Sequence, residues 1–132
     1  EILVSIQTGE ALALVNGNPV WRLMTVSTGM ASHPTPIGDY LVHRIEALQV
    51  SSLYPVTPQG RGGAVMPYSQ TFGPTGEALH VSDPLGCPNR RCSHGCIGFT
   101  SVDGEKMWRM MEQLGRPVVR IRQRWDFSPY TS

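Results

Sequence analysis

Residues 90–100 read RRCSHGCIGFT, and this run sets Cys92 and Cys96 on either side of His94, with Gly95 next to the second thiol. Immediately after it comes the one convincing helix of the chain. Thr100 or Ser101 can cap it, Asp103 suits its positive end, and GEKMWRMMEQLG (104–115) stops at Gly115. Met107, Met111 and Leu114 recur at helical spacing, which predicts a core-facing stripe. Outward from this point the pattern is that of strands. ILVSIQ, ALALV and VWRLMTVS come first, then GDYLVHRIEAL, EALHVS and finally PVVRIRQRW. Asn16-Gly17 is a hairpin signal, because both central residues of a type I′ turn need positive φ. The expected fold is therefore mainly β with one helix.

The chain has 132 residues, 40% apolar and 16% charged, with a net charge of +1. That length and composition suit one domain over 1–132 and argue against disorder. The near-neutral balance removes any general electrostatic case for nucleic acid. No apolar run is long enough to span a bilayer as a helix, and the chain opens on a strand-like segment with no signal-type pattern. Arg120, Arg122 and Arg124 alternate with Val119, Ile121 and Trp125, so period two puts the three guanidinium groups on one sheet face. Such a face is either solvated or a contact for acidic groups.

Three readings of the thiols are open. Cys87, Cys92, Cys96 and His94 could be zinc ligands, although four ligands on one short loop would leave the ion little to organise. Cys87 and Cys92 could close a tight disulfide loop through Pro88 and Asn89 in an oxidising compartment. Cys96 could be a nucleophile, since Gly95 leaves space beside the sulfur and His94 and His80 supply imidazoles. A thiol at its ordinary pKa is only a few per cent thiolate at neutral pH, so a nearby base is what activation requires.

The Ser93–Cys96 tetrapeptide SHGC, with His80 upstream, resembles the active-site signature of the L,D-transpeptidase (YkuD-type) catalytic domain. VSTGMASHPTPIGDYLV (26–42) and MPYSQTFGPTGEALH (66–80) resemble further blocks of that family in the same order, so the likeness extends over nearly the whole chain. The resemblance implies a β-sandwich-like mixed sheet with a packed helix. It makes Cys96 the nucleophile, His80 the general base and His94 an orienting residue. Backbone N–H groups of Gly95 and Cys96 would receive the oxyanion. Met66 and Tyr68 match residues that line the donor-peptide groove, though core packing is the plain alternative for that block.

The implied reaction is transfer of a peptidoglycan stem acyl group through a thioester, giving 3→3 cross-links or exchanging the terminal D-amino acid. It needs no metal or organic cofactor and is expected outside the cytoplasmic membrane, from a monomer that carbapenems can acylate. A Cys87–Cys92 disulfide is the expectation for such a compartment. The Gly/Pro-rich stretch 53–68 offers a lid over the groove.

Three departures from the family pattern bear on substrate choice. Gly98 stands where Arg or Asn is usual, the spacing from His80 to Ser93 is short, and Val81 follows His80 in place of a small residue. Arg91, beside Cys92, is a candidate for the lost cationic contact. A wall hydrolase with the same thiol, a non-catalytic peptidoglycan-binding module and a zinc-stabilised interaction domain are the competing functions.

Overall fold

A computed structural model of the chain describes residues 1–55, 63–82 and 91–130; the side chains of 49–55, 63–66 and 92 are outside that description. The described residues form a curled mixed sheet with one helix laid against it. In chain order the strands are β1 (Ile2–Ser5), β2 (Glu10–Val15), β3 (Asn18–Gly29), β4 (Gly38–Leu41), β5 (Arg44–Pro55), β6 (Gly63–Thr71), β7 (Ala78–Val81), β8 (Arg91–Ser93) and β9 (Ile97–Phe99). Helix α1 (Ser101–Leu114) and strand β10 (Val118–Arg122) complete the order. The spatial order is β4-β10-β1-β2-β3-β9-β7-β6-β5, with β8 pairing β3 beside β9.

β1 is buried on both faces, which is why ILVS reads as a continuous apolar run. Ile2 and Val4 join the main core with Ala11, Ala13, Val119, Ile121, Phe99 and Met107. Leu3 points the other way and packs with Leu12, Leu14 and Phe127, against which Trp125 and Tyr130 lie. The β2–β3 hairpin turns on Asn16 at φ 51° and Gly17 at φ 79°, as its sequence predicts.

α1 is capped by Thr100, whose side chain accepts the Asp103 N–H at 3.3 Å, and ends at Gly115 with φ 95°. Gly104, Met107, Trp108 and Met111 are its buried residues. Leu114 is not among them: it is 61% exposed, one turn beyond the last position that the sheet covers. Gly104 is the close-approach point, where any Cβ would run into the Val81 side chain on β7.

Three other expectations change at their edges. GDYLVHRIEAL divides into β4 and β5, because the chain leaves β4 after Leu41 and Val42 drops into the core. The arginine alternation ends at Arg122, since β10 stops there and Arg124 and Trp125 lie beyond it. Val119 and Ile121 do face the core, but Arg120 and Arg122 meet carboxylates of the chain itself. Arg120 pairs with Glu1 and Asp39 at 3.0 Å each, and Arg122 with Asp39 at 2.9 Å. Arg122 first, then Arg120, holds the Asp39 carboxyl below its ordinary range. Within the expected lid stretch, residues 53–55 and 63–68 belong to β5 and β6, and the intervening residues 56–62 lie outside the description.

Candidate active site

The site is assembled where β7 and β9 run parallel. Leu79 is in register with Ile97, His80 with Gly98 and Val81 with Phe99. Leu79, Ile97 and Phe99 belong to the main core. Ala78 and Cys96, one residue earlier on each segment, pack together as a separate small cluster. Alternation therefore puts Ala78, His80, Cys96 and Gly98 on the face away from that core. His80 is two residues along and one strand over from Cys96. With strands about 4.8 Å apart and a rise of about 3.3 Å per residue, that diagonal is roughly 8 Å between Cα atoms, and alternation projects both side chains from the same face.

The His80 ring is oriented by a local bond. Its Nδ1 lies 2.7 Å from the Val81 carbonyl oxygen, which can only accept, so Nδ1 bears the hydrogen. In the neutral ring Nε2 is then the basic nitrogen. Burial of the ring pulls its pKa below the ordinary 6.5, and the Val81 bond opposes that shift. Burial likewise pushes the Cys96 thiol above its ordinary 9.0. A backbone hydrogen bond from Ala78 pulls it back, and the Glu77 carboxylate adds to the rise. Both groups therefore favour their neutral forms at neutral pH.

The turn that presents Cys96 is held from several sides. Ser93 Oγ donates to the Cys96 carbonyl at 2.7 Å and accepts the Gly95 N–H at 3.2 Å. The Gly95 N–H, one of the two oxyanion donors that the resemblance assigns, is thus engaged by Ser93. Gly95 has φ 114°, and a Cβ there would come within 2.9 Å of Glu77 Cγ. Both the positive φ and the close approach favour glycine. Thr35 Oγ1 donates to the Gly95 carbonyl at 3.0 Å and accepts the Gly29 N–H at 2.9 Å. The Met30 N–H donates to the Ser93 carbonyl at 2.9 Å, continuing the β3–β8 pairing.

His94 stacks on His33, with ring centroids 4.4 Å apart and planes 15° from parallel. That places its ring beside His33. Tyr68, with φ 53°, packs its ring against Trp108 of α1 at 5.6 Å. Arg91 is exposed on β8. Cys87 and the side chains of Met66 and Cys92 lie outside the described residues, and so does the Cys87–Cys92 pairing. Among the described residues, no three His, Cys, Asp or Glu side chains are grouped to hold a metal ion.

Sequence reasoning missed Thr35, Glu77, Ser27 and Ser82. Thr35 lies in the 26–42 block and Glu77 opens the EALHVS segment, but nothing in either segment signals its long-range contacts. Glu77 is buried, with its carboxylate bound by the Thr75 N–H at 3.1 Å and the Thr75 hydroxyl at 2.5 Å. Ser27 and Ser82 explain Gly98. A Cβ at Gly98 would collide with Ser27 Oγ and come within 2.5 Å of Ser82 Cβ, so the space of a larger side chain is taken by two serines.

A curled β-sheet with one helix, bearing a thiol and an imidazole on adjacent parallel segments, defines a cysteine-site class of fold. The family comparison makes this specific: the model of the YkuD L,D-transpeptidase catalytic domain matches residues 1–119, and the chain belongs to that family. Among solved structures, a Stackebrandtia nassauensis L,D-transpeptidase is 22% identical with a TM-score of 0.75, over 98% of this chain and 57% of that one. A Mycobacterium smegmatis L,D-transpeptidase is 16% identical with a TM-score of 0.74, over 92% and 57%. L,D-transpeptidase 3 of Mycobacterium tuberculosis, in complex with a faropenem-derived adduct, is 22% identical with a TM-score of 0.71, over 92% and 59%. The mixed-sheet fold is thus shared, and this chain spans less than two thirds of the length of these relatives. No curated protein is similar at a significant level.

Proposed function

We propose that the chain is a cysteine L,D-transpeptidase that acts on peptidoglycan stem peptides outside the cytoplasmic membrane, with Cys96 as nucleophile and His80 as general base. The observation that supports this most is the strand register. His80 opposite Gly98 sends its ring from the same sheet face as Cys96, while Val81 fixes the hydrogen on Nδ1 and leaves Nε2 basic. His94 is two residues from the thiol, but its ring is stacked on His33.

The neutral resting forms favour proton transfer during attack over a standing thiolate–imidazolium pair. Sγ of Cys96 attacks the carbonyl of stem residue three as its proton moves to Nε2 of His80. The amide C–N bond then breaks, and that proton leaves on the amine of residue four. This step forms a thioester. An acceptor amine attacks the thioester and loses its proton to His80, and the thiol regains it as the new amide forms. The Cys96 N–H is the oxyanion donor next to the reacting carbon, with the Gly95 N–H joining it if Ser93 Oγ releases it. The same nucleophile would open a penem or carbapenem ring, as the faropenem-derived adduct of the mycobacterial relative suggests.

Intact-mass analysis with defined tetrapeptide stems tests this. The expected products are a tripeptidyl adduct and a cross-linked dimer that appear together, and both should be lost in Cys96→Ser. His80→Ala should slow acylation by about 10²–10⁴-fold, the usual effect of a positioned base. Tripeptide with no dimer at high acceptor concentration makes the protein a hydrolase, and stem binding without an adduct makes it a binding module.

A further inference from the structure

Glu77 is a buried titratable group that the transfer steps leave unused. It is 8% exposed, and its carboxylate accepts the Thr75 N–H and the Thr75 hydroxyl. A Cβ on Gly73 would collide with that carboxylate, so the turn after β6 closes tightly on it. Among the described residues no ion pair includes Glu77. A glutamine would keep both bonds, its oxygen accepting the N–H and its amide nitrogen donating to the hydroxyl, without the cost of a buried charge. Bracing the turn therefore does not by itself account for the charge.

Two contacts carry Glu77 to the thiol. Its backbone carbonyl accepts the Phe72 and Gly73 N–H groups, just past β6, at 2.9 Å each. No peptide bond among the described residues is cis, so the N–H of the same peptide group, that of Ala78, points the opposite way. β7 lies between β6 and β9, and Cys96 is on the β9 side. The Ala78 N–H donates to the sulfur there, and the two residues pack together. The side chain makes the second contact. The position of a Gly95 Cβ is 2.9 Å from Glu77 Cγ and 3.6 Å from Oε2. Gly95 adjoins Cys96, so the carboxylate lies beside the turn that carries the thiol and opposes negative charge on it.

We propose that Glu77 is a positioning residue for Cys96: its peptide aims the Ala78 N–H at Sγ, its side chain seats Gly95, and its charge keeps the resting sulfur protonated. The N–H and the carboxylate act on the sulfur in opposite senses. The N–H receives charge that develops on Sγ during attack and again when the thioester breaks, while the carboxylate disfavours a standing thiolate. This role rests on the reading of Cys96 as the nucleophile. Among the described residues, the other titratable and charged groups around the turn are His80 on β7, His94 with His33 stacked on it, and Arg91 on β8. His43 completes the set, with Nε2 3.3 Å from the Gly73 carbonyl oxygen.

The rate of Cys96 alkylation by iodoacetamide against pH, read by mass on the Cys96 peptide, tests the proposal. Glu77→Gln should move the midpoint to lower pH and raise the thiolate fraction at neutral pH about tenfold, the lower end of what one neighbouring charge does. Glu77→Asp keeps the charge and should keep a midpoint near wild type. Its shorter side chain cannot hold Thr75 and Gly95 together, so stem acylation should slow by roughly tenfold to 10²-fold. Circular dichroism checks that each variant is folded. A wild-type midpoint in Glu77→Gln, or a Gln-like midpoint in Glu77→Asp, would overturn the proposal. Both midpoints are read without substrate, whereas failure of the nucleophile reading shows as stem turnover that survives in Cys96→Ser.

Discussion

Thr35 Oγ1 donates to the Gly95 carbonyl at 3.0 Å across 60 residues of chain, and the same oxygen accepts the Gly29 N–H at 2.9 Å. This one hydroxyl ties the end of β3 to the turn that presents Cys96. The backbone is tight here as well, since a Cβ on Gly29 would collide with the backbone of His33 and Pro34. Both hydrogen bonds are buried, so their loss cannot be made good by solvent.

Thr35→Val keeps the shape and leaves both backbone partners unpaired. It should cost about 2–6 kcal/mol in urea unfolding, from two buried groups at the usual penalty. The alkylation rate of Cys96 by iodoacetamide should change with it, because the turn is no longer pinned. Thr35→Ser should restore both. A Val variant as stable as wild type would show that the Thr35 hydroxyl does not pin the turn.

Gly98→Ala places a methyl group against Ser27 and Ser82. Overpacking of this kind costs about 1–3 kcal/mol. Removing the obstacle in Ser27→Gly with Gly98→Ala should recover part of the loss, and a double-mutant cycle measures the coupling. Additive effects of the two changes would show that the serine does not set the identity of residue 98.

His80 and Cys96 set a pH window for stability. His80 has a folded pKa below 6.5, so the unfolded chain binds the proton more readily, and stability should fall as pH drops below 6.5 toward the folded value. Cys96 has a folded pKa above 9.0, so the unfolded chain ionises first, and stability should fall as pH rises past 9.0. Urea midpoints on either side of these values should show both losses. His80→Gln should flatten the acid side and Cys96→Ser the alkaline side; a wild-type alkaline slope in Cys96→Ser would rule the thiol out as its source.

A disulfide between Cys87 and Cys92 is expected if the protein works outside the cytoplasmic membrane. Its short loop limits the stabilisation to roughly 2 kcal/mol, so its main effect would be on the shape of the lip beside Cys96 and on sparing that thiol from mispairing. Thiol titration of denatured, unreduced protein should find a single sulfhydryl. Three free thiols, or stoichiometric zinc, would refute it.

The sequence by itself determined the β-rich pattern, the Asn16-Gly17 hairpin, the capped helix and the Ser93–Cys96 block. These are local properties: alternation, positive φ and capping depend on neighbours within a few residues. It held no sign that Leu114 would face solvent, because helical spacing tells which residues share a face but not how far the opposing sheet extends. Nor could it show that Arg120 and Arg122 would meet Glu1 and Asp39, which come from other parts of the chain. The site divides the same way. Cys96, His94 and His80 stand out as residue types capable of the chemistry, but the face that His80 shares with Cys96 follows from the parallel β7–β9 register. Thr35, Glu77, Ser27 and Ser82 come into view only when distant strands are brought to hydrogen-bonding or van der Waals distance. Their importance comes from what they touch, and only tertiary structure decided those contacts.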